Sequence, residues 1–229
     1  MRAREIYTKS RKPSDIFWNA YVCRPVAALL LSFIAGTRVT PNQITLASLV
    51  VTGGAIAIWL AVPGYLGLVL GVLVFELSYV LDCADGMLAR VRGIASPAGH
   101  LLDFLMDELK AFAILAAISV RLAMEHEEVL FLQIGLGGLV MLASGTALTT
   151  FLRRPEIAGP APAAAASPRP LSPIAIIERI AKFFIHYPSY IWAAALAGRM
   201  DLYLYPYVIV NALYAAKTLA GVALRFGRV

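Results

Sequence analysis

Between Asp82 and Asp107 the chain reads DCADGMLARVRGIASPAGHLLDFLMD, which sets Asp82-x2-Asp85-Gly86-x2-Ala89-Arg90-x8-Gly99-x3-Asp103-x3-Asp107 among apolar flanks. Ionisable groups at membrane depth are costly and mark function more often than packing. Asp82 and Asp85 stand i,i+3 and Asp103 and Asp107 stand i,i+4, so each pair shares one face of a helix. Two such faces turned toward each other make an oxygen-only cage for hard divalent cations such as Mg²⁺ or Mn²⁺. Without a bridging cation, four facing carboxylates would repel one another, which argues against a merely polar seam between helices. Two divalent ions a few ångströms apart would clamp the attacking and leaving oxygens of a phosphoryl transfer. Gly86 and Gly99 let a phosphate approach the backbone, Ala89 keeps one face small, and Arg90 offers a bidentate fork to phosphate oxygens.

The elements that must carry these residues are membrane helices. Hydrophobic residues make up 60 % of the chain and charged residues only 15 %, a membrane composition. Six apolar runs are each long enough to cross a bilayer: about 41–62, 64–92, 98–122, 129–152, 174–198 and 202–224. Thr40 is a plausible N-cap with Pro41 at the first helical position, and Gly93 and Pro97 bracket the turn inside the motif. Residues 14–36 are apolar but interrupted by Asn19 and Arg24, and read as a helix lying in the interface rather than as a seventh span. The expected class is therefore an all-α integral membrane protein, a six-transmembrane-helix bundle with an N-terminal interfacial amphipathic helix. The arm and interfacial helix would occupy 1–36 and the bundle 37–229, with a Pro/Ala-rich linker at 155–173 between the fourth and fifth spans.

Charge sets the orientation. Of 20 Lys and Arg, only Arg121 and Arg199 fall on the outer side of this arrangement and Lys110 within a span. The positive-inside rule then puts both termini and the motif in the cytoplasm. The net charge of +6 is spread along helix ends, which suits anionic lipid headgroups and not a nucleic acid. Neither Cys23 nor Cys83 belongs to a disulfide framework, and no cleavable leader is apparent at the start.

The eight-position spacing resembles the signature of the CDP-alcohol phosphotransferase family, membrane enzymes of phospholipid biosynthesis, and the TPNQIT run at 40–45 looks like that family's usual start of the first span. The resemblance implies that Asp82, Asp85, Asp103 and Asp107 bind the metal ions and that Asp107 is also the general base. It implies that Gly86, Ala89, Arg90 and Gly99 contact the cytidine diphosphate. The implied reaction is attack of an acceptor hydroxyl on the β-phosphoryl group of a CDP-alcohol, with CMP leaving. The implied assembly is a six-helix homodimer among membrane lipids. Lipid as donor and lipid as acceptor both remain open.

A phosphate-bearing acceptor, such as inositol phosphate or glycerol phosphate, would find its counter-charges at Lys110, Arg153, Arg154 and Arg179. Lys110 can equally serve as a charge partner for Asp107 or Glu108. Glu76 is open between support of the metal site and a plain helix contact, and Gly67-x3-Gly71 is a candidate packing face. Two other functions compete. An ion-coupled transporter would show repeat symmetry, which is not seen. A diphosphate-using prenyltransferase would need a second aspartate-rich motif, yet outside 82–107 the only aspartates are Asp15 and Asp201.

Overall fold

The computed structural model describes residues 1–11, 18–158, 180–181 and 183–227. Every regular element among them is helical: α1 (Ala3–Ser10), a π-helical turn (Asn19–Cys23) running into α2 (Arg24–Ile34), α3 (Pro41–Ala61), α4 (Gly64–Arg92), α5 (Pro97–His126), α6 (Leu130–Leu152), the single turn α7 (Pro155–Ala158), α8 (Ile191–Leu196) and α9 (Asp201–Phe226). Four of them, α3, α4, α6 and α9, are long and apolar enough to cross a membrane. The boundaries anticipated from sequence for these four hold to within two residues. Of the fifth anticipated span, 174–198, residues 180–181 and 183–198 are described, and they hold helical residues at 180–181 and 183–185, a bend and turns at 186–190 and then α8, rather than one continuous helix. At 30 residues α5 has the length of a span. It lacks the composition, because Asp103, Asp107, Glu108, Lys110, Arg121 and Glu125 interrupt it. The charges that make the helix interesting are the ones that disqualify it as plain hydrocarbon.

Local chemistry explains the helix ends. Thr40 caps α3: its hydroxyl accepts from Gln43 N at 3.3 Å and the Gln43 side chain accepts from Thr40 N at 2.9 Å, the reciprocal capping box. Gly93 ends α4 in the left-handed region at φ 68°, a conformation glycine adopts without strain. Ser96 starts α5, its hydroxyl accepting from Gly99 N at 3.1 Å.

The chain divides into two compact units, Met1–Ile114 and Leu115–Val229, the boundary falling within α5. In the first unit α1, α2 and α3 pack around α4, with Ile6, Ala27, Leu31, Ile44, Ala84 and Met87 in one buried cluster. Between α3 and α4 runs a sealed row of hydroxyls. Ser78 donates to Ser48 O at 2.7 Å, Thr52 lies 2.7 Å from Ser78 Oγ, and Ser48 donates to Thr45 O at 2.7 Å. Small and hydroxyl residues let membrane helices approach closely and bond across the seam. In the second unit α6 lays glycines against α9: a Cβ on Gly138 would lie 2.6 Å from Val208 Cγ2, and one on Gly145 3.3 Å from the Tyr214 ring. Leucines such as Leu73, Leu136 and Leu213 point outward, as lipid-facing positions do.

Gly71, the second glycine of the candidate packing face, is used within the chain. A Cβ there would sit 2.2 Å from Nε1 of Trp59, whose side chain is only 1 % exposed and has nowhere to retreat. Gly71→Ala is expected to destabilise by about 1–3 kcal/mol through overpacking. Gly53→Ala, where nothing lies within 4 Å of the new methyl, should instead stabilise by roughly 0.5–1 kcal/mol. Thermal unfolding of the two variants in detergent checks the pair, and equal midpoints would contradict the α3–α4 packing.

Candidate metal and phosphate site

The motif occupies the last three turns of α4 and the first three of α5, both within the first unit. Gly93 reverses the chain between them. Arg92 fixes that corner by donating to the backbone oxygens of Ala35, Thr37 and Val39, at 3.1, 2.8 and 2.5 Å. Its side chain is thus a staple for the α2–α3 loop.

Three of the four aspartates converge. Asp82 from α4 and Asp103 and Asp107 from α5 each bring an oxygen to within 4.8 Å of the others. Only carboxylate oxygens make up the set, the donor chemistry that hard divalent cations prefer, so the residues fit such an ion. The openings differ: the Asp107 side chain is 41 % exposed and that of Asp82 only 13 %. Asp85 is not one of the three. It is buried and accepts a hydrogen bond from the Thr45 hydroxyl of α3. Thr45 belongs to the TPNQIT run, which sequence read only as a helix start; its place one turn after Pro41 was the available signal.

Lys110 lies between the two helices of the motif. Its ammonium, 1 % exposed, bridges the two helices by pairing with Asp82 and, at 3.4 Å, with Asp107. Of its two possible roles, the structure shows the charge partner, with Asp82 as an additional and closer contact. Its cation thus offsets part of the repulsion among the converging acids.

The phosphate-contact candidates lie on the same two helices as the acids. Arg90 spreads over Gly86, where a Cβ would be 3.3 Å from Nη1. Ala89 is half-buried on the same helix. Gly99 lies where a Cβ would come 3.2 Å from Ser96 Oγ and 3.7 Å from Asn42 Oδ1, so α5 starts close to the start of α3. Arg153 and Arg154 are exposed at the end of α6 in the second unit, and Arg179 lies outside the described residues. Glu76 takes the plainer of its two readings as far as its partner shows: its Oε2 accepts from Trp18 Nε1 at 3.1 Å, tying α4 to the segment before α2. Tyr79 makes the same tie by donating to Asn19 Oδ1 at 2.6 Å.

Comparison with known proteins gives the chain a family. A sequence profile of the CDP-alcohol phosphatidyltransferase family matches residues 38–200. The chain is 37 % identical over 84 residues to the archaetidylinositol phosphate synthase of Aeropyrum pernix, covering 37 % of this chain and 41 % of that protein. It is 31 % identical over 117 residues to the phosphatidylinositol phosphate synthase of Corynebacterium glutamicum, covering 51 % of this chain and 48 % of that protein. The chain thus spans less than half the length of these curated relatives. The profile match takes in the whole aspartate motif, both helices that carry it and the capped start of α3. With residues 38–200 of 229 inside that match, the chain belongs to the CDP-alcohol phosphatidyltransferase family, whose members are transferases of phosphate-containing groups.

Proposed function

We propose that the chain transfers a phospho-alcohol group from a CDP-alcohol to an acceptor hydroxyl, releasing CMP, as a step of phospholipid biosynthesis. The observation that carries this reading is the convergence of Asp82, Asp103 and Asp107 from two helices, with Arg90 two turns further along α4 from Asp82. In it, Asp82, Asp85, Asp103 and Asp107 hold two Mg²⁺ or Mn²⁺ ions, Asp85 being steered by Thr45. Bound there, the ions supply Lewis-acid neutralisation of the diphosphate charge. Gly86, Ala89, Arg90 and Gly99 receive the cytidine diphosphate, Arg90 through its fork of donors. Asp107 is the general base, and its exposure among the acids suits the one that must meet an incoming hydroxyl.

The names of the two relatives point to inositol phosphate lipids as products. For this chain we accordingly place the lipid on the donor side and an inositol phosphate as the acceptor, with Arg153, Arg154 and Arg179 supplying charge for its phosphate. Lys110, already engaged with two aspartates, is assigned to the acids instead. The reading includes six spans, counting α5 and the 174–198 segment with the four apolar helices, and the domain division at 36/37. The helical run Asn19–Ile34 is only 16 residues, about 24 Å long against roughly 30 Å of hydrocarbon, which suits an interfacial position. Both termini and the site face the cytoplasm in this reading, and the protein works as a homodimer.

Purified protein incubated with a panel of CDP-alcohols and polyol phosphates tests it through CMP release. The expected result is release with a CDP-lipid and inositol phosphate, lost in chelator and restored by Mg²⁺. Replacing Arg153 and Arg154 together by Gln should raise the acceptor KM about tenfold or more and leave the donor KM unchanged. No CMP from any donor would reject the transferase. An unchanged acceptor KM in the double variant would reject the phosphate-bearing acceptor site.

A further inference from the structure

We propose that α1 is a positioning element for Arg90: docked on the motif helix, it fixes the orientation in which Arg90 meets the donor diphosphate. The proposal rests on the transferase reading above and adds to it a role for a segment outside the family match. An eight-residue helix is too short to hold together by itself in water, so α1 depends on what it packs against. Ile6 is fully buried and Ser10 is 1 % exposed, and Ile6 lies in the cluster that includes Ala27, Leu31, Ala84 and Met87. That docking brings the C-terminal end of α1 to the motif. The Ser10 hydroxyl turns back to Ile6 O at 2.7 Å, and the Ser10 carbonyl, at the last residue of α1, has no acceptor role inside the helix.

This carbonyl accepts from Arg90 Nε at 3.1 Å and from Arg24 Nη1 at 3.3 Å. The last carbonyls of a helix have no partner inside it and carry the negative end of its dipole, so they suit guanidinium donors. Arg90 is therefore held at two places. Its Nε is tied to α1, and its terminal nitrogens lie against Gly86, where any side chain would crowd them. An arginine fixed through Nε presents its two terminal nitrogens in a set direction, the arrangement that bidentate phosphate contact needs. Ser10 and Arg90 are 80 residues apart, so the tie spans a large part of the chain.

The test uses full-length protein. Ile6→Asp puts a charge into the cluster and should release α1; Ile6→Ala loosens it more gently and serves where the first variant does not fold. The expected result is a donor KM raised on the order of tenfold to a hundredfold by Ile6→Asp, and less by Ile6→Ala. The acceptor KM and the Mg²⁺-dependent rise in melting temperature should stay as they are. In an Arg90→Lys background, which lacks the Nε contact, the Ile6 substitution should add nothing further. An equal rise in both backgrounds, or an unchanged donor KM, would overturn the proposal. Calorimetric binding of CDP gives the same comparison without turnover. Wild-type protein that binds CDP yet releases no CMP defeats the transferase reading alone, and the effect of Ile6→Asp on CDP binding still decides the role of α1. Wild-type protein that binds no CDP defeats both.

Discussion

Asp103→Asn, and equally Asp82→Asn, should lower CMP release at least about 10³-fold, since Lewis-acid charge stabilisation contributes several kcal/mol and each 1.36 kcal/mol is tenfold in rate. Asp82, Asp103 and Asp107 bring their oxygens within 4.8 Å of one another, so removing one charge takes away a third of the converging ligand set. The amide of Asn keeps the size and one oxygen, which separates a loss of charge from a loss of packing. Two measurements check it. CMP release should vanish in either variant, and the Mg²⁺-dependent increase in melting temperature should shrink, because an ion that binds only the folded state stabilises it by mass action. Turnover at the wild-type rate in either variant would sink the metal cage. Asp85→Asn should also stop the reaction, but its hydrogen bond from Thr45 gives it a second vulnerability. Thr45→Val would then weaken turnover while every acid remains in place.

Lys110→Met is expected to be the most damaging substitution to stability. The ammonium is buried between Asp82 and Asp107, and Met has a similar length without the charge. Removing one partner of a buried ion pair costs about 3–5 kcal/mol, because the remaining charges are left without compensation. For a chain of this size that is a fall in melting temperature on the order of 10 °C. The loss should be largest in chelator. Saturating Mg²⁺ should recover much of it, since divalent cations can neutralise the same carboxylates. A melting temperature in chelator that matches wild type would contradict the role of Lys110 as their internal cation. Lys110→Arg should fall between the two: it keeps the charge but brings a planar fork where a compact ammonium sits.

The part of the site that the sequence made legible is the part encoded at helical spacing. Asp82 and Asp85, and Asp103 and Asp107, are one turn apart, and a periodicity of 3.6 residues is enough to put each pair on a face. The Gly93 reversal then tells a reader that the two faces belong to neighbouring helices. The cap at Thr40 was legible for the same reason: it is settled within four residues. The tie from Arg90 to Ser10, the bond from Thr45 to Asp85 and the bridge from Lys110 to Asp82 were not. Each joins residues 28–80 positions apart, and no local pattern encodes which distant group a long side chain will reach. The span count shows the converse difficulty. Apolar runs announced α3, α4, α6 and α9, whereas α5 carries so much of the site's charge that composition alone does not count it.

The sealed hydroxyl row between α3 and α4 has a mechanical consequence. Drawing the two helices apart would break both bonds that Ser78 makes to α3, to Ser48 O and to the Thr52 hydroxyl, and leave its hydroxyl in hydrocarbon, where an unsatisfied group costs several kcal/mol. Thermal motion does not supply that repeatedly, so the hairpin behaves as a single stiff post. Asp82 and Asp85 ride on that post, and their distance from the capped start of α3 is set once, at folding. Any breathing that lets a bulky donor in or a nucleotide out must be taken up by other joints of the molecule.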